Sequence, residues 1–210
     1  MVPRYDAVLL DVFETVLCVD QLRHATLLAE RAGVAADDFA AAAATWGPRI
    51  NRGESTLADA VAAVLEECGG STDGADVAAL VEADRELLTE LAVVPDDTVP
   101  FLEGLRAGGI RTAFVSNCAE NTRPLLDSLG LSDLVDELVL SCEVGATKPD
   151  APILRAALDG LGVPADRAVL VDDQQSYCDG AAALGIATVR IDRSEGTGQV
   201  STLTEVSAYL

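Results

Sequence analysis

From residue 98 onward the chain alternates short apolar runs of strand type with segments of helical periodicity. Strands are expected at 6–11, 111–116, 137–141, 168–172 and 187–191, with helices at 98–108, 120–129, 151–162 and 177–185. This alternation predicts parallel strands joined by helical crossovers, because parallel neighbours cannot be linked by a tight turn. Right-handed crossovers then give a doubly wound layer. The helix at 151–162 is the best marked: Leu154, Leu158 and Leu161 share a face, Pro152 sits in the first turn and Asp150 is placed to cap the start.

Residues 17–95 follow a different rule. They show no strand-like alternation and several alanine-rich helical patterns, at 21–32, 36–46, 55–68 and 76–92. The alanine tract 40–44 has Phe39 and Trp46 beside it to pack with. Val94-Pro95-Asp96-Asp97 marks a turn on one side and the stretch after Asp11 marks the other, so a helical lobe is inserted behind the first strand. The expected division is 1–16 with 96–210 as one unit and 17–95 as the second.

The 210 residues, 50% of them hydrophobic, suffice for one sizeable core and a smaller lobe. A formal charge of −21 and a pI near 4.1 repel nucleic-acid phosphate and anionic membrane surfaces, so neither is an expected partner. A small anionic substrate would need local cations. There is no run of about 18 apolar residues, and MVPRYD lacks the apolar stretch of a signal peptide, so a cytoplasmic location is expected. Cys18, Cys68, Cys118, Cys142 and Cys178 are scattered without a CxxC pair and read as free thiols. A monomer or a homodimer is expected.

Chemistry-bearing residues gather where strands are expected to end. Asp11 closes the first apolar run; Ser116, Lys148 and the pair Asp172-Asp173 follow later strands or lie on the loops leaving them, the edge where open α/β sheets build sites. Lys148 is the only lysine, the other 13 of the 14 basic residues being arginine. Keeping one compact ammonium in a chain otherwise given to arginine points to a place where a planar guanidinium will not serve. Taken singly, each residue has an ordinary alternative: paired aspartates make turns, and Ser116-Asn117 is a common helix start.

Taken in order, four segments resemble the haloacid dehalogenase-like hydrolase superfamily: Asp11-Val12-Phe13-Glu14-Thr15; Val115-Ser116-Asn117; Ser141 to Gly145 leading into Lys148-Pro149-Asp150; and Val171-Asp172-Asp173 followed by Gly180-Ala181 and Leu184-Gly185. The resemblance implies a Rossmann-like core with an inserted all-helical cap domain over the site. It makes Asp11 the nucleophile, Ser116 a ligand of the phosphoryl oxygens with a neighbouring backbone N–H, and Lys148 the balancing charge. Thr15 and Asn117, which close the first two segments, are expected substrate contacts. Asp11, Asp172, Asp173 and the carbonyl of Phe13 would hold Mg²⁺, a hard oxygen set suited to that ion.

One position departs from the phosphatases of that superfamily. They usually carry a second aspartate two residues after the nucleophile, and here that residue is Phe13. A general acid typically supplies about 10²–10⁴-fold, so substrates with good leaving groups, such as acyl phosphates or anomeric sugar phosphates, need it least. Glu14 and Asp20 lie nearby in sequence as candidates to replace that acid, although an exposed hinge position is the expected role of each. The expected function is a Mg²⁺-dependent phosphatase of a small phosphorylated metabolite acting through an aspartyl-phosphate. An aromatic residue at this position also resembles the superfamily's metal-independent 2-haloacid dehalogenases, although Asp172 and Asp173 would repel a haloacid's carboxylate. A catalytically impaired binding protein is the third reading. Specificity is expected in the helical lobe, where Trp46 to Gly53 forms a polar turn between helices that could present Arg49 or Arg52 to an anionic substrate. His24, the only histidine, reads as an ordinary helix residue.

Overall fold

The computed structural model describes residues 4–194 and 196–210. Five strands, β1 (Ala7–Leu10), β2 (Arg111–Ser116), β3 (Glu137–Leu140), β4 (Ala168–Asp172) and β5 (Ala187–Arg190), form one parallel sheet in the order β3-β2-β1-β4-β5. The period-2 geometry of a strand divides their side chains between two cores. Val8, Leu10, Phe114, Val169 and Val171 point into one, with Leu102 and Leu105 of α5 (Thr98–Ala107) and Leu125 and Leu126 of α6 (Thr122–Ser128). Ala7, Leu9, Ala113, Val115 and Leu170 point into the other, with Ile153, Leu154, Leu158 and Leu161 of α8 (Ala151–Leu161) and Ala181 of α9 (Gln175–Ala183). Apolar runs therefore read as continuous rather than alternating, because both faces of the sheet are covered. The α/β, Rossmann-like doubly wound architecture is the expected one.

Between β1 and α5 the chain makes four helices, α1 (Gln21–Ala32), α2 (Ala36–Asn51), α3 (Leu57–Glu67) and α4 (Gly74–Leu91). They share a third hydrophobic cluster of their own around Leu28, Phe39, Val61, Val64, Leu65, Leu80 and Leu87. Three of their starts are capped by side chains: Asp20 accepts from Arg23 N–H, Thr56 from Asp59 N–H and Asp73 from Ala75 N–H. The chain enters and leaves this lobe through one short antiparallel contact, in which Cys18 and Val93 each donate N–H to the other's carbonyl at 2.9 Å.

Local signals misplace several boundaries. Helix α2 runs through Gly47 and Pro48 to Asn51, so the polar turn expected from Trp46 onward is its last turn and a half. The helix is continued by tertiary packing, since Trp46 lies against the lobe core, and it stops where Gly53 takes a φ of +66°. No side chain could replace that glycine without movement: a Cβ there would stand 2.2 Å from the Cys142 carbonyl oxygen. Cys142 belongs to α7 (Ser141–Val144), a single turn that takes Ser141 out of the expected strand. Asp150 occupies the cap position of α8, yet its side chain makes no capping bond. A short α10 (Leu203–Val206) near the C-terminal end was not signalled by periodicity.

Candidate active site

The sheet order places β1 between β2 and β4, so the tips of these three strands bring together residues distant in sequence. Asp11 is one residue beyond β1, its N–H bonded to Val171 O at 2.9 Å. Ser116 and Asp172 are the last residues of β2 and β4, and Asp173 follows. Lys148 comes in from the turn between α7 and α8 and is fully buried. Its Nζ lies 2.5 Å from Asp11 Oδ1 and 2.7 Å from Asp172 Oδ2, with the Tyr177 ring centroid 5.1 Å away. The main chain at Lys148 is held as firmly as its ammonium: Asn117 Nδ2 donates to Lys148 O at 2.9 Å, and Lys148 N–H donates to Asn117 Oδ1 at 2.7 Å. Helix α9 backs the turn through Gly180, where a Cβ would stand 2.6 Å from Pro149. Gly180 thus permits a close approach that any larger residue would prevent.

Two buried carboxylates, Asp11 and Asp172, face one ammonium, with the half-buried Asp173 beside them. Burial pushes Asp11 up to about 6; Lys148 pulls it down and Asp172 pushes it further up. Asp172 and Asp173 are also raised, in both cases chiefly by burial, with Lys148 opposing. Burial would lower Lys148, but Asp11 and Asp172 more than reverse that, and its pKa is raised. The ammonium therefore stays charged, and the acids carry more negative charge than it can balance.

Asp11, Asp172 and Asp173 each bring a carboxylate oxygen within 4.8 Å of the others. Three hard oxygen donors at that spacing fit a cation such as Mg²⁺. Within the set, Asp172 is the most engaged, with Oδ2 on Lys148 and Oδ1 accepting Gln174 N–H at 2.9 Å, while Asp173 is half-buried. Ser116 Oγ is completely buried and has no hydrogen-bond partner among the described residues, a costly arrangement unless a bound group completes it.

The turn after β1 carries Phe13 to the rim and is fixed from two sides. Glu14 adopts a φ of +59°, uncommon for a residue with a side chain, and its Oε1 accepts Val19 N–H at 3.1 Å. Arg193 Nε donates to Thr15 O at 2.8 Å, while Arg193 Nη2 pairs with Asp97 at 3.2 Å. Thr15 itself is fully buried with Oγ1 unpartnered, underneath the rim.

Two adjoining cavities open above Asp11. One of about 210 Å³ is walled by Asp11, Phe13, Asn117, Asp173 and Tyr177. The other, of about 330 Å³, shares Phe13, Gln21 and Asn117 with it and reaches His24 and Asp84 in the lobe. A larger hollow of about 540 Å³ against Arg31 and Asp76 lies within the lobe, apart from these groups.

The structure thus brings together Asp11, Ser116, Lys148, Asp172, Asp173 and Phe13. It does not bring in Arg49 and Arg52. Arg49 is exposed and lies over the Trp46 ring at 4.7 Å, and Arg52 is exposed at the end of α2. Among the described residues neither walls either cavity; because α2 continues as a helix, Asn51 takes that place instead. The Asn117 amide, expected on the substrate, is turned onto Lys148. Sequence reasoning passed over Tyr177, in the first turn of α9, and Arg193. It also left His24 as an ordinary helix residue, whereas the imidazole is buried beside Asp84 in a cavity wall.

Comparison with known proteins agrees with the fold and gives the family. A family model described as haloacid dehalogenase-like hydrolase matches residues 5–185. Phosphatase MT3486 of Mycobacterium tuberculosis is 33% identical over 118 residues, 54% of this chain and 54% of that protein. (S)-2-haloacid dehalogenase 1 of Pseudomonas sp. is 34% identical over 105 residues, 50% of this chain and 46% of that protein. The chain thus matches about half the length of these curated relatives. A crystal structure of a Bacteroides thetaiotaomicron HAD family enzyme, in complex with magnesium and inorganic phosphate, superposes with a TM-score of 0.72 at 17% identity, over 91% of this chain and 96% of that one.

Proposed function

Since the chain belongs to the haloacid dehalogenase-like hydrolases, we propose that it is a magnesium-dependent phosphatase of a small phosphorylated metabolite, working in the cytoplasm, with Asp11 as nucleophile. One observation carries this reading: three clustered carboxylates, Asp11 and Asp172 buried and Asp173 half-buried, have one ammonium among them, Lys148, which pairs with Asp11 and Asp172. Such a site has surplus negative charge and would turn away a phosphate dianion, or a haloacid's carboxylate, until a divalent cation joins it. The same surplus speaks against metal-independent dehalogenation, although a dehalogenase stands among the relatives.

In the proposed reaction the Asp11 carboxylate attacks phosphorus, an Asp11–phosphate bond forms as the bond to the leaving oxygen breaks, and water then releases inorganic phosphate and restores Asp11. Magnesium, held by Asp11, Asp172, Asp173 and the Phe13 carbonyl, would supply charge neutralisation. Lys148 holds Asp11 in its ionised form and in one orientation. Ser116 Oγ, now without a partner, would donate to a phosphoryl oxygen. Residues 17–95 would act as a cap over the core formed by 1–16 and 96–210. Phe13 offers no proton, so acyl and anomeric phosphates should be favoured over simple alkyl esters. A hydrolysis screen of phosphomonoesters, acyl phosphates and 2-haloacids, each with magnesium and with EDTA, tests the reading. Phosphate release abolished by EDTA supports it, and halide release indifferent to EDTA overturns it.

A further inference from the structure

The cavity of about 330 Å³ between lobe and core has a buried polar wall that phosphoryl transfer itself does not use. His24 comes from α1, Asp84 from α4 and Asn121 from the turn before α6, so the wall is assembled from both units. Asn121 Nδ2 donates to Asp84 Oδ2 at 2.5 Å. His24 Nε2 stands 3.2 Å from Asp84 Oδ1, within ion-pair reach, yet makes no hydrogen bond. A ring nitrogen more than nine-tenths buried and left without a hydrogen bond at a cavity wall has capacity for a ligand group. The cavity connects to the Asp11 site, because Phe13, Gln21 and Asn117 wall both hollows.

Its charge is as informative as its shape. Asp84 contributes a negative charge, and His24 contributes at most one positive charge, so in either protonation state the pair has no positive surplus. Among the described residues no lysine or arginine walls this cavity or the one over Asp11; Arg190 and Arg193 wall a further hollow of about 410 Å³, which shares Glu14, Asp173 and Gln174 with the Asp11 cavity but no residue with this one. The chain's formal charge of −21 adds a field of the same sign. A carboxylate or second phosphate entering here would lose its hydration and meet a pair with no net positive charge to offset that loss. A hydroxyl group would instead find donors and acceptors on His24, Asp84, Asn121 and Asn51.

Resting on the phosphatase reading above, we infer that this cavity holds the departing part of the substrate and selects an uncharged, hydroxyl-bearing alcohol over one carrying a carboxylate or a second phosphate. Asp84 is the specificity-determining residue, with Gln21 at the shared entrance.

The test is inhibition of acetyl phosphate hydrolysis by two compounds that differ in one terminal group, glycerol 3-phosphate (CH₂OH) and 3-phosphoglycerate (COO⁻). Inhibition reads binding whether or not either compound is turned over. Glycerol 3-phosphate is expected to have the lower inhibition constant by on the order of tenfold. Asp84→Asn should shrink that ratio towards one. Gln21→Arg, at an exposed position where folding is not at stake, should shrink or invert it. Equal constants or a preference for 3-phosphoglycerate in the unaltered protein would overturn the inference, as would a ratio that Gln21→Arg leaves unchanged. If acetyl phosphate is hydrolysed and only the ratio fails, this inference alone falls; absence of any acetyl phosphate hydrolysis removes the phosphatase reading and this inference with it.

Discussion

Asn117 and Lys148 exchange two hydrogen bonds, the Asn117 amide donating to the Lys148 carbonyl and accepting from its N–H, across 31 residues of sequence. The side chain at the tip of β2 therefore fixes the main chain that aims the only lysine at Asp11. Replacing Asn117 with Ala removes both bonds and leaves two backbone groups to find water. The expected cost is about 2 kcal/mol of stability, with kcat falling by about tenfold or more as Lys148 loses its orientation. Asn117→Asp keeps one acceptor and should fall between. Thermal unfolding and steady-state kinetics check this; a variant with raised KM and unaltered kcat would assign Asn117 to substrate binding instead.

Among the described residues the Lys148 ammonium is the sole counter-charge within contact of Asp11 and Asp172, so its removal should be felt in folding as well as catalysis. Lys148→Met leaves buried carboxylates uncompensated, a change that typically costs about 3–5 kcal/mol. The loss should shrink on acidification, as the acids accept protons in place of the ammonium. Lys148→Arg should also inactivate, because the fork of a guanidinium does not fit a pocket closed by the Tyr177 ring and Asp172. Denaturant unfolding of Lys148→Met at pH 5 and pH 7.5 provides the check, and a deficit independent of pH would argue against the charge account.

The acidic cluster sets a pH dependence of stability with a definite sign. Asp11 rises from an ordinary 3.8 to about 6, and Asp172 and Asp173 move in the same direction. Between those values the folded chain binds protons that the unfolded chain has released, so stability falls as pH rises through that window. A divalent cation held by these carboxylates would compete with the protons for the same oxygens. Magnesium should therefore raise Tm more at pH 7.5 than at pH 5, and Asp173→Asn should reduce that rise. Calorimetry with and without the ion reads the difference; an equal shift at both pH values would mean that the cation binds elsewhere.

Much of this arrangement is visible in the sequence, and the reasons for what is not are specific. Asp11, Ser116, Asp172 and Asp173 each follow an apolar run, and parallel strand order gathers strand tips at one edge whatever the loops do. Lys148 stands out by composition. What local pattern cannot give is the outcome of helix packing. Gly47-Pro48 reads as a break, yet the packing of Trp46 carries α2 past it, turning Arg49 onto the Trp46 ring and putting Asn51 at the cavity. His24 and Asp84 are 60 residues apart on α1 and α4, and only the antiparallel association of those helices makes them neighbours. Arg193 reaches Thr15 across 178 residues, with no periodicity to announce it.

The nucleophile assignment has a direct test. Asp11→Asn keeps the shape of the side chain and its place beside Lys148 while removing the attacking charge. Turnover of acetyl phosphate should fall by at least about 10³-fold, since a neutral amide cannot form the covalent bond. Circular dichroism should show an unchanged fold. Residual activity near that of the unaltered protein would move the nucleophile elsewhere.

Phe13 is the residue whose replacement should add chemistry. It is half-buried against the core cluster and walls both cavities two residues beyond Asp11, so a carboxylic acid there would face the leaving oxygen of a substrate held over Asp11. Phe13→Asp gives up apolar contact, costing about 1–3 kcal/mol in stability. In return it offers a proton to alkoxide leaving groups, which acyl phosphates do not need. The ratio of kcat/KM for an alkyl phosphate over acetyl phosphate should therefore rise by about tenfold or more, even if both absolute rates fall. The ratio cancels any loss shared by the two substrates, such as partial unfolding or weakened phosphate binding, and leaves only the step in which the departing oxygen takes up a proton. A ratio unchanged by the substitution would mean that another group already supplies that proton, and would turn attention to the buried His24 imidazole at the far wall of the same cavity.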